Sequence, residues 1–265
     1  MSKIKAIPPT KFLIETSLQI ERVKKGGDYL RTTLGNNTEC YSSYFVFYEY
    51  KRGLIKSFID IYSLIEIEQN VSRAFNLWSD KFAPRELKNF IILQSIIAQK
   101  CDSIMTADTA SALRQIESAI RRAVADFSVA INYLTGDFAG NELVKFPIRK
   151  ASDFPEFLEL CKNSKIIPLI NFWEKHADEL VQLTSLKKPY EKDVRWEKMY
   201  DNLEGIRAGT VSADKYHVNR SIGDAVISAD TTKKFTLASL DTLFEVLCDL
   251  QNKPHQIVKK THRNA

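Results

Sequence analysis

Glycine is scarce in this sequence, nine of 265 residues, and no stretch has the spacing of a Walker A loop or of a dinucleotide-binding Gly-x-Gly-x-x-Gly turn. Most nucleotide-dependent enzymes are thereby excluded. The four cysteines, Cys40, Cys101, Cys161 and Cys248, are far apart, and none belongs to a Cys-x-x-Cys pair; we read them as reduced core or surface thiols rather than zinc ligands. The four histidines, His176, His217, His255 and His262, also lack metal-binding spacing. No apolar run reaches the roughly 20 residues that cross a bilayer, and Lys3, Lys5, Pro8 and Pro9 interrupt any signal-peptide pattern. The expectation is a soluble, cytoplasmic protein without a membrane partner.

What the sequence does contain is a core. Hydrophobic residues make up 44% of the chain, and its length suits one large domain or two small ones. A formal net charge of +5 permits a polyanionic partner without requiring one. Lys253, His255, Lys259, Lys260, His262 and Arg263 crowd the C-terminal stretch, which reads either as a phosphate-holding tail or as a frayed, solvated end.

Periodicity places short strands toward both ends and helices between them. Lys11–Ile14 reads as a buried strand, Leu18–Lys25 as a helix stopped by Gly26-Gly27, and Glu39–Ser42 as a second strand. From Ser43 onward Phe47, Tyr50, Leu54, Phe58, Ile61 and Ile65 recur at three- and four-residue steps, predicting one long amphipathic helix with Glu49 in its first turns. Further helices are predicted over Arg85–Cys101, Ala110–Leu134 (broken by Gly136 to Gly140), Pro155–Lys162, Pro168–Leu183 and a charge-rich, largely exposed Glu191–Ile206. The last predicted elements are a helix over Asp214–Thr232, a strand over Phe235–Leu240 and a helix over Leu243–Leu250. Strands alternating with helices imply a parallel sheet, in which functional residues gather at the carboxyl ends of strands.

Four acids stand at such places. Glu15 ends the run Phe12-Leu13-Ile14 and is followed by Thr16-Ser17. Glu49 lies where a strand gives way to a helix, four residues before Gly53. Asp224 opens Asp224-Ala225-Val226-Ile227, and Asp241 closes Phe235 to Leu240, with Ser239 two residues earlier. Carboxylates brought within a few ångströms repel one another unless protonated or bound to cations, so a convergent set suits Mg²⁺ or Mn²⁺.

These segments resemble the motifs of PIN-domain nucleases, the fold of the toxin RNases of toxin-antitoxin pairs and of many RNA-processing enzymes. Glu15-Thr16-Ser17 matches the family's strand ending in Asp-Thr-Asn or Asp-Thr-Ser. Glu49 with Gly53 matches its glutamate followed by glycine, and Asp224-Ala225 its Asp-Ala pair before small apolar residues. Ser239-Leu240-Asp241 matches its Thr-x-Asp, and Asp241-Thr242-Leu243-Phe244 is similar to its final acid followed by Asp-Phe. The resemblance implies an α/β fold: a PIN-like domain with a short parallel sheet flanked by helices, formed by residues 1–65 and 210–265. Residues 66–209 would be a large helical insertion that includes the core's middle helices.

It further implies a Mg²⁺- or Mn²⁺-dependent nuclease hydrolysing phosphodiester bonds, in RNA ahead of DNA. Glu15, Glu49, Asp224 and Asp241 would be its catalytic metal ligands, and Thr16, Ser17 and Ser239 would orient them by hydrogen bonds. A protein inhibitor or a second copy would dock on the insertion. Glu15 departs from the family's aspartate, displacing a ligand oxygen by about one carbon–carbon bond. Two alternatives stay open: a PIN-like binding or assembly module that has lost catalysis, and a purely helical regulatory protein.

Other residues have ordinary readings. Glu15 reads equally as the cap of the helix from Thr16, Glu49 and Asp224 as helix surface charges, and Asp241 as the N-cap of the last helix. Asp230, six residues beyond Asp224, points away from that residue's helix face. Arg114, Arg121 and Arg122 read as the wet face of a helix rather than a nucleic-acid groove. The aromatics Tyr41, Tyr44, Phe45, Phe47, Tyr48 and Tyr50 read as core rather than base-stacking platforms.

Overall fold

A computed structural model describes residues 10–26, 28–80, 87–101, 103–131, 133–135, 153–162, 167–185 and 194–259. Strand β1 (Thr10–Ile14) leads into α1 (Thr16–Lys25), which stops at Gly26, where φ is 102° and a side chain would be strained. A short helix α2 (Tyr29–Leu34), not predicted from the periodicity, precedes β2 (Thr38–Ser43). Ser43 then caps α3 (Tyr44–Tyr50) by accepting from Val46 N at 3.1 Å. The long helix expected from Ser43 is present but not uniform. Between α3 and α4 (Lys56–Glu68) its hydrogen bonds widen to a π-helical turn over Lys51–Ile55.

Helices α5 (Val71–Asp80), α6 (Leu87–Lys100) and α7 (Thr109–Ala130) follow. The predicted helix over Ala110–Leu134 ends early, because Tyr133–Thr135 is a strand, β3, registered with Tyr41, Ser42 and Ser43 of β2. The 66–209 segment thus supplies an edge of the sheet as well as helices. Next come α8 (Phe154–Lys162), α9 (Ile170–Lys175), α10 (Ala177–Thr184) and α11 (Val194–Arg207). One predicted helix, Pro168–Leu183, is therefore two, divided at His176, whose φ of −110° and ψ of 36° leave the helical region. Helix α11 is exposed on one side only, since Trp196, Met199 and Leu203 are buried. Arg85, Glu191 and Gly136 to Gly140 lie outside the described residues.

The helix predicted over Asp214–Thr232 is likewise two, α12 (Tyr216–Ser221) and α13 (Gly223–Asp230), interrupted at Ile222. Strand β4 (Thr236–Ser239), helix α14 (Leu243–Leu250) and a further strand β5 (His255–Ile257) complete the fold. The tail is therefore not simply frayed: His255 lies in β5, and Lys253 is buried with Nζ donating to the carbonyls of Ser228 and Ala229 at 2.8 and 2.9 Å. Lys260, His262 and Arg263 lie outside the described residues.

The five strands form one sheet in the order β3-β2-β1-β4-β5, every pair parallel. A purely helical protein is ruled out. Central β1 is buried through Phe12, Leu13 and Ile14, and β4 through Leu237 and Ala238, as expected where helices cover a parallel sheet. The chain first winds outward from β1 through β2 to β3, then returns to the other side of β1 for β4 and β5. That reversal makes the β1/β4 boundary a topological switch point, the place in open parallel sheets where ligands commonly bind beyond the carboxyl ends of the strands. No helix among the described residues is long and apolar enough to cross a membrane.

Candidate functional site

Glu15 and Asp241 sit at the carboxyl ends of β1 and β4, on the two sides of the switch point. Glu15 is buried, 3% exposed, and holds the N-terminus of α1. Its Oε2 accepts from Ser17 N at 2.6 Å, while its Oε1 accepts from Leu18 N at 3.0 Å and from the Ser17 hydroxyl. Oε1 also accepts from Leu240 N at 3.2 Å, so this one carboxylate fastens the end of β1 to the end of β4. Burial raises its pKa, against the hydrogen bonds from Ser17, Leu240 and Leu18.

Glu49 reaches the same place from the second turn of α3. The Thr16 hydroxyl donates to its Oε2 at 2.6 Å. Desolvation, then the charges of Asp224 and Glu15, push its pKa up to about 8, with the Thr16 hydrogen bond opposing. Its other oxygen faces Gly223, where a Cβ would overlap Oε1. The interruption at Ile222 places Asp224 in the first turn of α13, not on the exposed flank of a longer helix. Burial, followed by the charges of Glu15 and Asp241, pushes Asp224 up to about 7, while Arg195 pulls it down.

Asp241 is held by its neighbours. Its backbone N donates to Ser239 Oγ at 2.8 Å, and its Oδ1 accepts from Leu243 N at 3.0 Å at the start of α14. Its Oδ2 lies 3.1 Å from Arg195 Nη1. Of the three supporting residues, Thr16 and Ser17 bond to carboxylates, whereas Ser239 bonds to the backbone of Asp241.

The arrangement is thus four acids around the switch point, in which the charges of Asp224 and Glu15 act on Glu49 and those of Glu15 and Asp241 act on Asp224. They do not form a closed coordination shell: among the described residues no group of three or more His, Cys, Asp or Glu is placed to hold a metal ion as it stands. Two participants were not picked out from sequence. Gly223 had a signal, as one of few glycines and the neighbour of Asp224; Arg195, one cation in a charge-rich helix, had none.

The remaining candidates fall to structural roles. Phe47 and Tyr50 pack on Phe127 with ring centroids 4.6 and 4.9 Å away, and Tyr41, Phe45 and Tyr48 are also buried. Arg121 pairs with Glu117 at 2.7 Å and lies 4.8 Å over the Phe154 ring, and Arg114 bonds to Ser111 within α7. All four cysteines are buried and none is in a disulfide. Asp230, at the far end of α13 from Asp224, is buried, and desolvation pushes its pKa up to about 7. Compared with protein-family models, with curated proteins and with solved structures, the chain matches none.

Proposed function

We propose that this chain is a PIN-like, divalent-metal-dependent nuclease that hydrolyses phosphodiester bonds in RNA ahead of DNA. The observation that carries the reading is the convergence of Glu15, Glu49, Asp224 and Asp241 on one switch point, where burial and mutual repulsion raise Glu49 to about 8 and Asp224 to about 7. Groups so perturbed by burial together with specific charged neighbours are candidates for a functional site. Excess negative charge of this kind is relieved by a hard cation with oxygen ligands. Mg²⁺ keeps several waters and commonly takes only one or two carboxylates directly, so an open set of acids fits it better than it would fit zinc.

In this reading Glu49, Asp224 and Asp241 would hold Mg²⁺ or Mn²⁺. The ion, when bound, supplies charge neutralisation at a phosphate oxygen and acidifies water. Thr16 fixes the carboxylate plane of Glu49, and Ser239 fixes the backbone from which Asp241 projects. Glu15 sets the distance between the two strand ends.

One observation favours a second reading, a PIN-like assembly module without catalysis whose residues 66–209 form a partner surface for an inhibitor or a second copy. Glu15 Oε1 already accepts from three donors and Oε2 from one, leaving little capacity for a metal. The test is cleavage of single-stranded RNA, duplex RNA and single-stranded DNA with Mg²⁺ or Mn²⁺, alongside titration calorimetry of each ion. Cleavage that is lost in Asp241→Asn supports the nuclease. An intact fold that neither binds the ions nor cuts any of the three substrates overturns the nuclease.

A further inference from the structure

Arg195 brings positive charge to the acidic site from outside the two chain ends that build it. It lies in the first turn of α11, 46 residues before Asp241, yet its Nη1 stands 3.1 Å from Asp241 Oδ2. The Arg195 side chain is 67% exposed and that of Asp241 30%. An ion pair this open to water adds little to stability and is screened by salt, so folding does not require it. The pair also has a specific chemical consequence. Asp241 Oδ1 is occupied by Leu243 N, and Oδ2, the oxygen left for a metal, is the one that Arg195 takes.

We infer that Arg195 is a positioning residue that exchanges Asp241 for a phosphate of the substrate strand, a conclusion that rests on the nuclease reading above. Without substrate, the guanidinium neutralises the rim of the acidic site and holds Asp241 in place. The guanidinium would yield that contact to a divalent cation held by Asp241. Its planar fork then meets the incoming phosphate with two parallel N–H···O bonds, a geometry that an ammonium group cannot copy. The same side chain therefore opposes metal binding in the free protein and favours substrate binding once metal is present. A residue with a merely structural role would move neither quantity, or both in one direction.

The experiment compares wild type, Arg195→Gln and Arg195→Lys, all checked for an unchanged melting temperature. Mn²⁺ is titrated calorimetrically at pH 8.5 without nucleic acid, and cleavage of a short single-stranded RNA is followed with saturating Mn²⁺. For Arg195→Gln, removing a competing charge tightens Mn²⁺ binding by about fivefold. Losing a charged phosphate contact raises KM by about tenfold with kcat little changed. Arg195→Lys falls between on KM.

A readout without metal accompanies these. In EDTA, Asp241→Asn removes the negative charge that Arg195 pairs with and binds the RNA more tightly than wild type by fluorescence anisotropy, and the double variant with Arg195→Gln loses that gain. Active wild type with an unchanged KM in Arg195→Gln overturns the inference and leaves the nuclease intact. A wild type that neither binds Mn²⁺ nor cleaves overturns the nuclease reading, and the inference with it.

Discussion

Gly223 lies directly against Glu49: a Cβ built on Gly223 would overlap the Glu49 Oε1 atom. The contact is made at the interruption between α12 and α13, so the smallest residue sits where one acid-bearing helix starts beside another. The position therefore controls where the Glu49 carboxylate rests.

Gly223→Ala should separate stability from activity. Alanine is the better helix former by about 1 kcal/mol, but its methyl must push Glu49 aside and strain the Thr16 hydrogen bond. Urea denaturation is expected to show a change of no more than about 1 kcal/mol, while Mn²⁺-dependent cleavage falls by at least about tenfold. A variant that melts like wild type and cleaves at the wild-type rate would break the link between Gly223 and the site.

Asp224→Asn should abolish cleavage and stabilise the metal-free protein. The folded-state pKa of Asp224 is raised from 3.8 to about 7, so the native state binds more protons than the unfolded state between those values, and stability falls as pH rises through that window. Asparagine does not titrate. In EDTA the variant should therefore match wild type near pH 4 and exceed it by about 1–2 kcal/mol near pH 8, after allowance for the partial exposure of this side chain. Urea titrations at both pH values measure the difference. Saturating Mg²⁺ or Mn²⁺ should stabilise wild type and not the variant.

Glu15 should behave oppositely. In Glu15→Gln one of the amide's ends must face a backbone N–H among Ser17, Leu18 and Leu240, donor against donor. The expected loss is about 1–3 kcal/mol, read as a lower melting temperature. Glu15→Asp keeps the charge but is one methylene too short to reach Leu240 N while still capping α1, so it should cost about 1 kcal/mol and reduce cleavage rather than enhance it. Cleavage strengthened by Glu15→Asp in a thermal-shift and RNase comparison would refute the role assigned to Glu15.

Thr16→Val probes the pKa of Glu49 alone. The Thr16 hydroxyl lowers it by hydrogen bonding, against burial and the neighbouring charges, and valine removes that bond without changing the shape. The acidic limb of the kcat/KM profile should therefore move to higher pH, with the plateau rate less affected. A limb at the wild-type position would mean that Glu49 does not govern it.

The legible parts of the fold were those where period and burial coincide. Phe12-Leu13-Ile14 and Leu237-Ala238 are apolar on both faces because the sheet is parallel and covered, and their strand ends placed Glu15 and Asp241. The break at His176 was hidden, since no glycine or proline marks it and the apolar period runs through; the break at Ile222 was masked by the same period, although Gly223 follows it directly. Strand β3 was hidden for a different reason: Tyr133-Leu134-Thr135 is three residues long and continues a helical stripe, and only pairing with Tyr41 to Ser43 makes it a strand. Arg195 was illegible because an ion pair across 46 residues leaves no local pattern. The resemblance to a nuclease motif drew attention to the acids but contained nothing about the cation that faces them.

The π-helical turn at Lys51–Ile55 has a bearing on how this site tolerates change. An α-helix advances about 100° per residue, and a π turn accommodates one extra residue without a loop. Upstream of the turn, Glu49 answers to Thr16 and Gly223; downstream, Phe58, Ile61 and Ile65 answer to the core. The turn uncouples these two angular demands within one continuous rod. Forcing regular α-helical winding on 51–55 with all five residues kept would advance the downstream segment by about 100°, rotating either Glu49 away from Thr16 and Gly223 or the apolar stripe out of the core, whereas deleting one residue there would remove the need for the turn.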